Sequence, residues 1–307
     1  MNPFRETVKV VNKYLFIILS YIIINFTTII FKENIMKYKI IVLDLDGTLT
    51  NSNKEITPKT KEGLMDIQKK GYKVVLASGR PTPGVVGLAK ELELEKYNGY
   101  ILSYNGARII DCNTGNVIYQ KTVPNEVIPD LYETAKKHDV RVISYDIDYD
   151  AGEIVSGNGI DKYIELESSI NNLPIKEVDN FGEYITFPVN KCLMSGDHEK
   201  LVKAMEDLQK KYKSYLSIYF SEPFFLEIMP QNVDKAQSLL MLLSQIGISS
   251  NEMICCGDGF NDISMIEIAG LGVAMENAQE LVKDAADYVT LSNDNDGILH
   301  VINKFME

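Results

Sequence analysis

The chain has 307 residues, 45% of them hydrophobic and 24% charged, with four cysteines, three histidines and a formal net charge of −12 at pH 7. This is the composition of a folded protein with a sizeable core. The acidic balance excludes a nucleic-acid surface, because phosphate backbones are held by clustered Lys and Arg. Any anionic substrate must therefore be held by local cations. His138, His198 and His300 are scattered and far in sequence from the acidic motifs, which excludes a His-based triad and a zinc site. Cys112, Cys192, Cys255 and Cys256 lack metal-type spacing and read as reduced, buried thiols in an intracellular setting.

In chain order, the first feature is an Ile/Phe-rich run over residues 14–31, with Arg5, Lys9 and Lys13 before it and Lys32 after it. It is just long enough for a membrane span. Ser20, Asn25, Thr27 and Thr28 interrupt it, and no small-residue cleavage site follows. Met36 stands directly before Lys37-Tyr38-Lys39 and the first core strand. Residues 1–35 are therefore read as a mis-assigned start or a non-essential extension outside the folded domain, with a membrane anchor or peripheral helix as the other reading. The expected location is cytoplasmic, with no membrane partner unless residues 14–31 are a genuine anchor.

Short apolar runs then recur at residues 40–43, 74–77, 100–102, 253–256, 271–274 and 288–291. They are continuous, not alternating, which predicts strands buried on both faces in a parallel sheet. The first helix is well punctuated, with Thr57 as N-cap, Pro58 at its first position, Lys69 and Lys70 in its last turn and Gly71 beyond it. A companion begins near Asp234, carries Leu239, Leu240, Leu242, Leu243 and Ile246 on one wide face, and ends at Gly247. Alternating strands and helices mean a doubly wound α/β domain.

Between residues 117 and 224 the texture turns Tyr-rich and acidic, with helical stretches at 126–137 and 199–212. This reads as an inserted α+β unit. The core then comprises residues 36–116 and 225–307. The run Asp146, Asp148, Asp150 lacks the Gly and Glu of a calcium loop, where Ala151 and Gly157 stand, and reads as a solvated hairpin edge.

Four polar clusters sit at the carboxyl ends of apolar runs: Asp44-Leu45-Asp46-Gly47-Thr48, Ser78-Gly79-Arg80, Asn105-Gly106, and Gly257-Asp258-Gly259-Phe260-Asn261-Asp262. In an open parallel sheet the strand carboxyl ends converge on one crevice, so these groups share a site. Asp44 and Asp46, two residues apart on an extended chain, lean to the same side, and Gly47 permits a sharp turn. A crowd of Asp44, Asp46, Asp258 and Asp262 repels itself unless a cation is present. A hard divalent ion is implied, and Mg²⁺ fits best.

With these motifs in view, residues 37–307 resemble the haloacid dehalogenase superfamily, in its Cof-like branch of phosphatases with a large α/β cap. DLDGTL at 44–49, ASGR with Ser78, VDKAQSL with Lys235 and GDGFNDISM at 257–265 follow the order of the family's four motifs. Ala236 departs from the Gly that often follows the lysine. Asn277-Ala278 and Asp296-Gly297 also look like the branch. The resemblance implies a Rossmann-like core with an inserted cap and a Mg²⁺-dependent phosphatase acting on small phosphorylated metabolites, most plausibly sugar phosphates. It makes Asp44 the nucleophile, forming an aspartyl-phosphate, and Asp46 the general acid and base. Ser78 and Lys235 would hold phosphoryl oxygens, with Gly79, Arg80, Asn105 and Asn261 as further substrate contacts. Asp44, the main-chain carbonyl of Asp46 and Asp258 would bind the metal, with Asn261 and Asp262 supporting that corner. Blander readings stand beside these: Ser78 as a cap of the following helix and Lys235 as a surface lysine, although a cation is unfavourable at a helix N-terminus. The competing functions are a response-regulator-like phospho-acceptor domain, or a phosphomutase or sucrose-phosphatase-like enzyme on the same fold. Missing GxxxxGK[ST] and GxGxxG motifs exclude a P-loop kinase and a dinucleotide enzyme. The oligomeric state is not legible.

Overall fold

The computed structural model describes residues 37–147 and 151–306; the segment 14–31 and the acids Asp148 and Asp150 lie outside them. In chain order the elements are β1 (Ile40–Leu43), α1 (Pro58–Lys69), β2 (Lys73–Ala77), α2 (Pro83–Glu91), β3 (Tyr100–Ser103), β4 (Arg108–Asp111) and β5 (Val117–Gln120). There follow α3 (Ile128–Lys137), β6 (Arg141–Ile147), β7 (Gly152–Ser156), α4 (Lys162–Asn171), β8 (Ile175–Glu177), α5 (Phe181–Tyr184), β9 (Cys192–Ser195), α6 (His198–Tyr212), β10 (Leu216–Glu222) and β11 (Phe225–Pro230). The chain closes with α7 (Lys235–Ile246), β12 (Met253–Gly257), α8 (Ile263–Ile268), β13 (Leu271–Ala274), α9 (Glu280–Asp284), β14 (Tyr288–Val289) and α10 (Gly297–Phe305).

The first sheet runs β14-β13-β12-β1-β2-β3-β4-β5. Its strands from β14 to β3 are parallel, and β4 and β5 add an antiparallel edge. Helices cover both faces, which is why β1 and β12 are buried at every position and carry no alternation. On one face Ile40, Val42, Val75, Leu102 and Cys255 pack against Leu239, Leu242 and Leu243 of α7. Helix α1 begins as its sequence signals: the Thr57 side chain accepts from the Thr60 N–H at 3.2 Å, with Pro58 at the first helical position. Helix α7 is capped by Asp234 and ends at Gly247 in the left-handed region, φ 69°. Leu240 of its expected apolar face is 40% exposed, so the buried stripe is narrower than the sequence predicts.

The second sheet, β10-β11-β9-β6-β7-β8, is antiparallel except for the β7–β8 pair. Here alternation rules. Leu226 and Ile228 of β11 join Cys192, Met194 and Leu216 in a core beneath α3 and α6, whereas Phe225 and Met229 pack on the opposite face with Tyr145 and Leu193.

Sheet membership moves the expected boundaries at 117 and 224. Residues Val117–Gln120 pair with β4 in the first sheet, and Phe225–Pro230 pair with β10 and β9 in the second. The crossings are residues 121–124 and 231–234. Both strands are short apolar runs whose sequence does not say which neighbour they join. Among the described residues no helix is long and apolar enough to cross a membrane.

Candidate active site

Asp44 follows the last residue of β1, and its N–H donates to the Cys256 carbonyl at 3.0 Å, which sets it beside the end of β12. The chain then turns at Gly47, φ +84°, where a Cβ would lie 2.3 Å from Asp258 Oδ2. Glycine is what lets the two acidic loops touch. Thr48 Oγ1 donates to Asp258 Oδ1 at 2.7 Å and fixes that contact. From behind, the Asn277 Nδ2 donates to the Gly47 carbonyl at 2.8 Å.

Lys235, the first residue of α7, is fully buried. Its Nζ donates to Asp44 Oδ1 and to Asp262 Oδ1, each at 2.6 Å, and to the Ala77 carbonyl at 2.9 Å. That burial rules out a surface lysine. Desolvation works against the charged amine, but Asp262 and Asp44 outweigh it and hold its pKa above the ordinary lysine value. Burial, helped by Asp262 and opposed by Lys235, pushes Asp44 up to about 8. Asp258 is also raised, chiefly by burial and against its bond from Thr48.

The carboxylates of Asp44, Asp258 and Asp262 each bring an oxygen within 4.8 Å of the others. At that separation each like-charged pair repels by roughly 3 to 4 kcal/mol at an effective dielectric near 20. One ammonium does not neutralise three acids. The all-oxygen donor set fits a hard divalent cation. The bonding divides the expected metal group. Asp262 has no oxygen to spare, since Oδ1 accepts from Lys235 and Oδ2 accepts from the Asp258 and Gly259 N–H groups at 3.0 and 2.9 Å. It is a brace for the loop and the lysine. Asp44 and Asp258 each keep one oxygen outside these bonds and fit the role of ligands.

Asp46 is half-buried and turned to cations. Arg80 Nε and Nη2 donate to its two oxygens at 2.8 and 2.6 Å, and Lys54 Nζ donates at 2.7 Å. Burial alone would raise its pKa, but hydrogen bonds and charge from Arg80 and Lys54 overrule that and lower it. Its carboxylate is thus directed at Arg80 and Lys54. Ser78 Oγ accepts from the Arg80 N–H at 3.1 Å. It stabilises a turn and does not cap α2, whose N-cap is Thr82. Asn105 sits in the left-handed region, φ 53°, and its Oδ1 accepts from Asn261 Nδ2 at 3.0 Å.

One cavity of about 900 Å³ is lined by Asp44, Asp46, Ser78, Gly79, Arg80, Asn105, Lys235, Asp258, Asn261 and Asp262. The structure therefore gathers every expected site residue in one place. The second sheet supplies the opposite wall through Lys191, Leu193, Tyr219, Phe225, Glu227 and Met229, joined by Glu167 and Asn171 of α4. None of these, nor Lys54, was expected as a site residue from sequence. The signal that could have found Glu227 is a single acid inside the apolar run 224–229.

Comparison with known proteins agrees with this geometry. A family model described as haloacid dehalogenase-like hydrolase matches residues 41–302. The crystal structure of a haloacid dehalogenase-like hydrolase from Bacteroides thetaiotaomicron is 49% identical, with a TM-score of 0.83 over 87% of this chain and 99% of that one. A subclass IIB sugar phosphatase of the same superfamily is 26% identical, with a TM-score of 0.70 over 87% of this chain and 98% of that one. The 5-amino-6-(5-phospho-D-ribitylamino)uracil phosphatase of Bacillus subtilis is 29% identical over 272 residues, which cover 87% of this chain and 96% of the relative. With the motifs, the sheet order and the matched span in agreement, the chain belongs to the haloacid dehalogenase-like hydrolase family.

Proposed function

We infer that the chain is a Mg²⁺-dependent phosphatase that hydrolyses small phosphorylated metabolites, sugar phosphates foremost, through an aspartyl-phosphate on Asp44. The observation that carries this reading is the Asp44 carboxylate at the floor of a 900 Å³ cavity, 2.6 Å from a buried ammonium and beside two further acids. The names of the sugar phosphatase and the ribitylaminouracil phosphatase point the same way.

The Asp44 carboxylate attacks phosphorus while Lys235 donates to it and draws charge from the phosphoryl oxygens. Ser78 and the turn at Gly79 bind the same group. Asp46, whose cation partners favour its ionised form, must first take up a proton; it gives that proton to the leaving alkoxide, then takes one from the water that cleaves the acyl phosphate. For that it must exchange its bonds to Arg80 and Lys54 for one to the ester oxygen. Asp44, Asp258 and the Asp46 carbonyl would hold Mg²⁺, which when bound would offset the negative charge crowded on the acids and the phosphoryl group. The inserted unit is the lid that selects the leaving group.

A panel of phosphorylated sugars, nucleotides and cofactors, assayed with Mg²⁺ for release of inorganic phosphate, tests this. Catalytic turnover of sugar phosphates is expected. A long-lived phosphoaspartate without turnover favours the phospho-acceptor reading, and transfer to a second sugar hydroxyl favours a phosphomutase.

A further inference from the structure

The wall of the cavity opposite Asp44 is built from alternate residues of three adjoining strands. On β11, Phe225, Glu227 and Met229 share one face, since Leu226 and Ile228 serve the core on the other. Glu227 lies level with Tyr219 of β10 and with Leu193 of β9. Lys191, two residues before Leu193, projects to the same side and lines the same cavity.

This wall holds charge that is buried and incompletely bonded. Lys191 is 4% exposed, yet the bond the structure gives its three-donor ammonium is one of 3.4 Å to Glu227 Oε1. Its further neighbour is the Tyr145 ring, 5.6 Å from Nζ. Glu227 Oε2 accepts from Tyr219 OH at 3.0 Å, and Glu167 Oε1 accepts from Tyr145 OH at 2.7 Å, which fixes both acids in place. Buried polar groups left short of partners are costly in a finished interior, so the Lys191 ammonium is directed at something that enters the cavity it lines. A donor flanked by acceptors matches a hydroxyl, which accepts one hydrogen bond and gives another.

We propose that Lys191 and Glu227, with Glu167, are the specificity-determining group of this enzyme, reading a neutral polyhydroxylated leaving group and rejecting one that bears a second anion. Two carboxylates against one ammonium leave the wall negative. A carboxylate or second phosphate on the leaving group meets that charge at short range in a partly dry cavity. The proposal rests on the phosphatase reading above and adds to it which esters are chosen and by which residues.

The test compares kcat/KM of the full-length wild type, Lys191→Met and Glu227→Gln with Mg²⁺. The esters are the best substrate from a panel of hexose, pentose and alditol monophosphates, its analogue with a second phosphate or a carboxylate, and p-nitrophenyl phosphate, which offers no hydroxyls. The wild type is expected to prefer the neutral polyol ester to its anionic analogue. In both variants the polyol ester should lose at least roughly tenfold more than p-nitrophenyl phosphate, the effect of one charged hydrogen bond. Glu227→Gln should also narrow the discrimination against the anionic analogue. Equal losses on both esters in Glu227→Gln, which keeps the shape of the side chain, or a wild type that favours the anionic analogue, overturns the proposal while leaving the phosphatase reading intact. A wild type that releases phosphate from no ester overturns both.

Discussion

On the floor of the cavity, Asp44, Ser78 and Asp258 each follow the carboxyl end of a parallel strand, and Lys235 opens a helix. On the opposite wall, Lys191, Glu227 and Tyr219 project from or beside antiparallel strands, between apolar neighbours. The floor is a meeting of strand ends, whose positions the sheet register fixes together, so its members are held to one another by bonds as short as 2.6 Å. The wall is a surface on which any residue of the right parity can be exchanged without disturbing the sheet. Chemistry common to a family belongs on the first kind of construction, and choice of substrate belongs on the second.

The sharpest way to break that division is to disable the floor. Asp44→Asn should abolish turnover of every ester alike and leave no phosphoenzyme after acid quenching. Chelation by EDTA should do the same reversibly, with Mg²⁺ restoring activity. Residual hydrolysis of any ester by Asp44→Asn would mean that the nucleophile lies elsewhere.

A second floor residue should fail unevenly. Asp46→Asn keeps the nucleophile and loses the proton donor, so an alkyl phosphate should slow by roughly the 10²- to 10⁴-fold typical of general acid–base catalysis. An aryl phosphate departs unassisted, so its first step should survive better and aspartyl-phosphate should accumulate. Equal losses with no trapped intermediate would make Asp46 a structural partner of Arg80 and Lys54.

The cost of crowding acids on the floor is measurable as stability. Asp44 has its pKa raised to about 8, so the folded state binds its proton more tightly than the unfolded chain does. The stabilising contribution is complete below pH 4 and is lost as pH rises toward 8. In EDTA the melting temperature of Asp44→Asn should therefore exceed that of wild type by a margin that widens across this window. Mg²⁺ should close the gap by stabilising wild type alone. A margin independent of pH would show that Asp44 is not carrying uncompensated charge.

The smallest effect is expected where wall and floor join. Asn190 Nδ2 donates to the Lys121 and Ala107 carbonyls at 2.8 and 3.2 Å, and its Oδ1 accepts from Gln120 at 3.1 Å. Asn190→Ala should cost about 1 to 3 kcal/mol in denaturant unfolding and blunt the preference among esters more than the rate on p-nitrophenyl phosphate. Unaltered preference would mean that the wall is oriented without this contact.

Asp44, Ser78 and Asp258 of the floor were legible in the sequence because each follows a continuous apolar run, and convergence at strand ends is a property of parallel sheets in general. Helix α1 could be read to its first and last turns because Thr57, Pro58 and Gly71 act locally. The wall was not legible, since Lys191 precedes β9 as an ordinary loop lysine and reaches the cavity only through the pairing of β9 with β11. The clamp on Asp46 escaped for a related reason. Lys54 sits at φ 65°, a backbone conformation that its residue type does not announce, and this turn is what presents its amine to the acid. Strand membership at residues 117 and 225 failed because pairing partners are chosen in three dimensions.

Residues 231–234 are one of two crossings of four residues each. They connect β11 of the wall to Lys235 of the floor, and the Lys121 ammonium of the other crossing bonds the Gln231 carbonyl. Four residues reach at most about 14 Å when extended. The inserted unit is therefore an exchangeable cassette with a narrow tolerance: a transplanted unit from a relative must end within that reach of α7, or it drags the lysine from its acids. Lengthening the crossing at 121–124 carries no such penalty, because β5 ahead of it is already anchored in the first sheet. Recombination between members of this fold should consequently accept insertions at the first junction and reject them at the second.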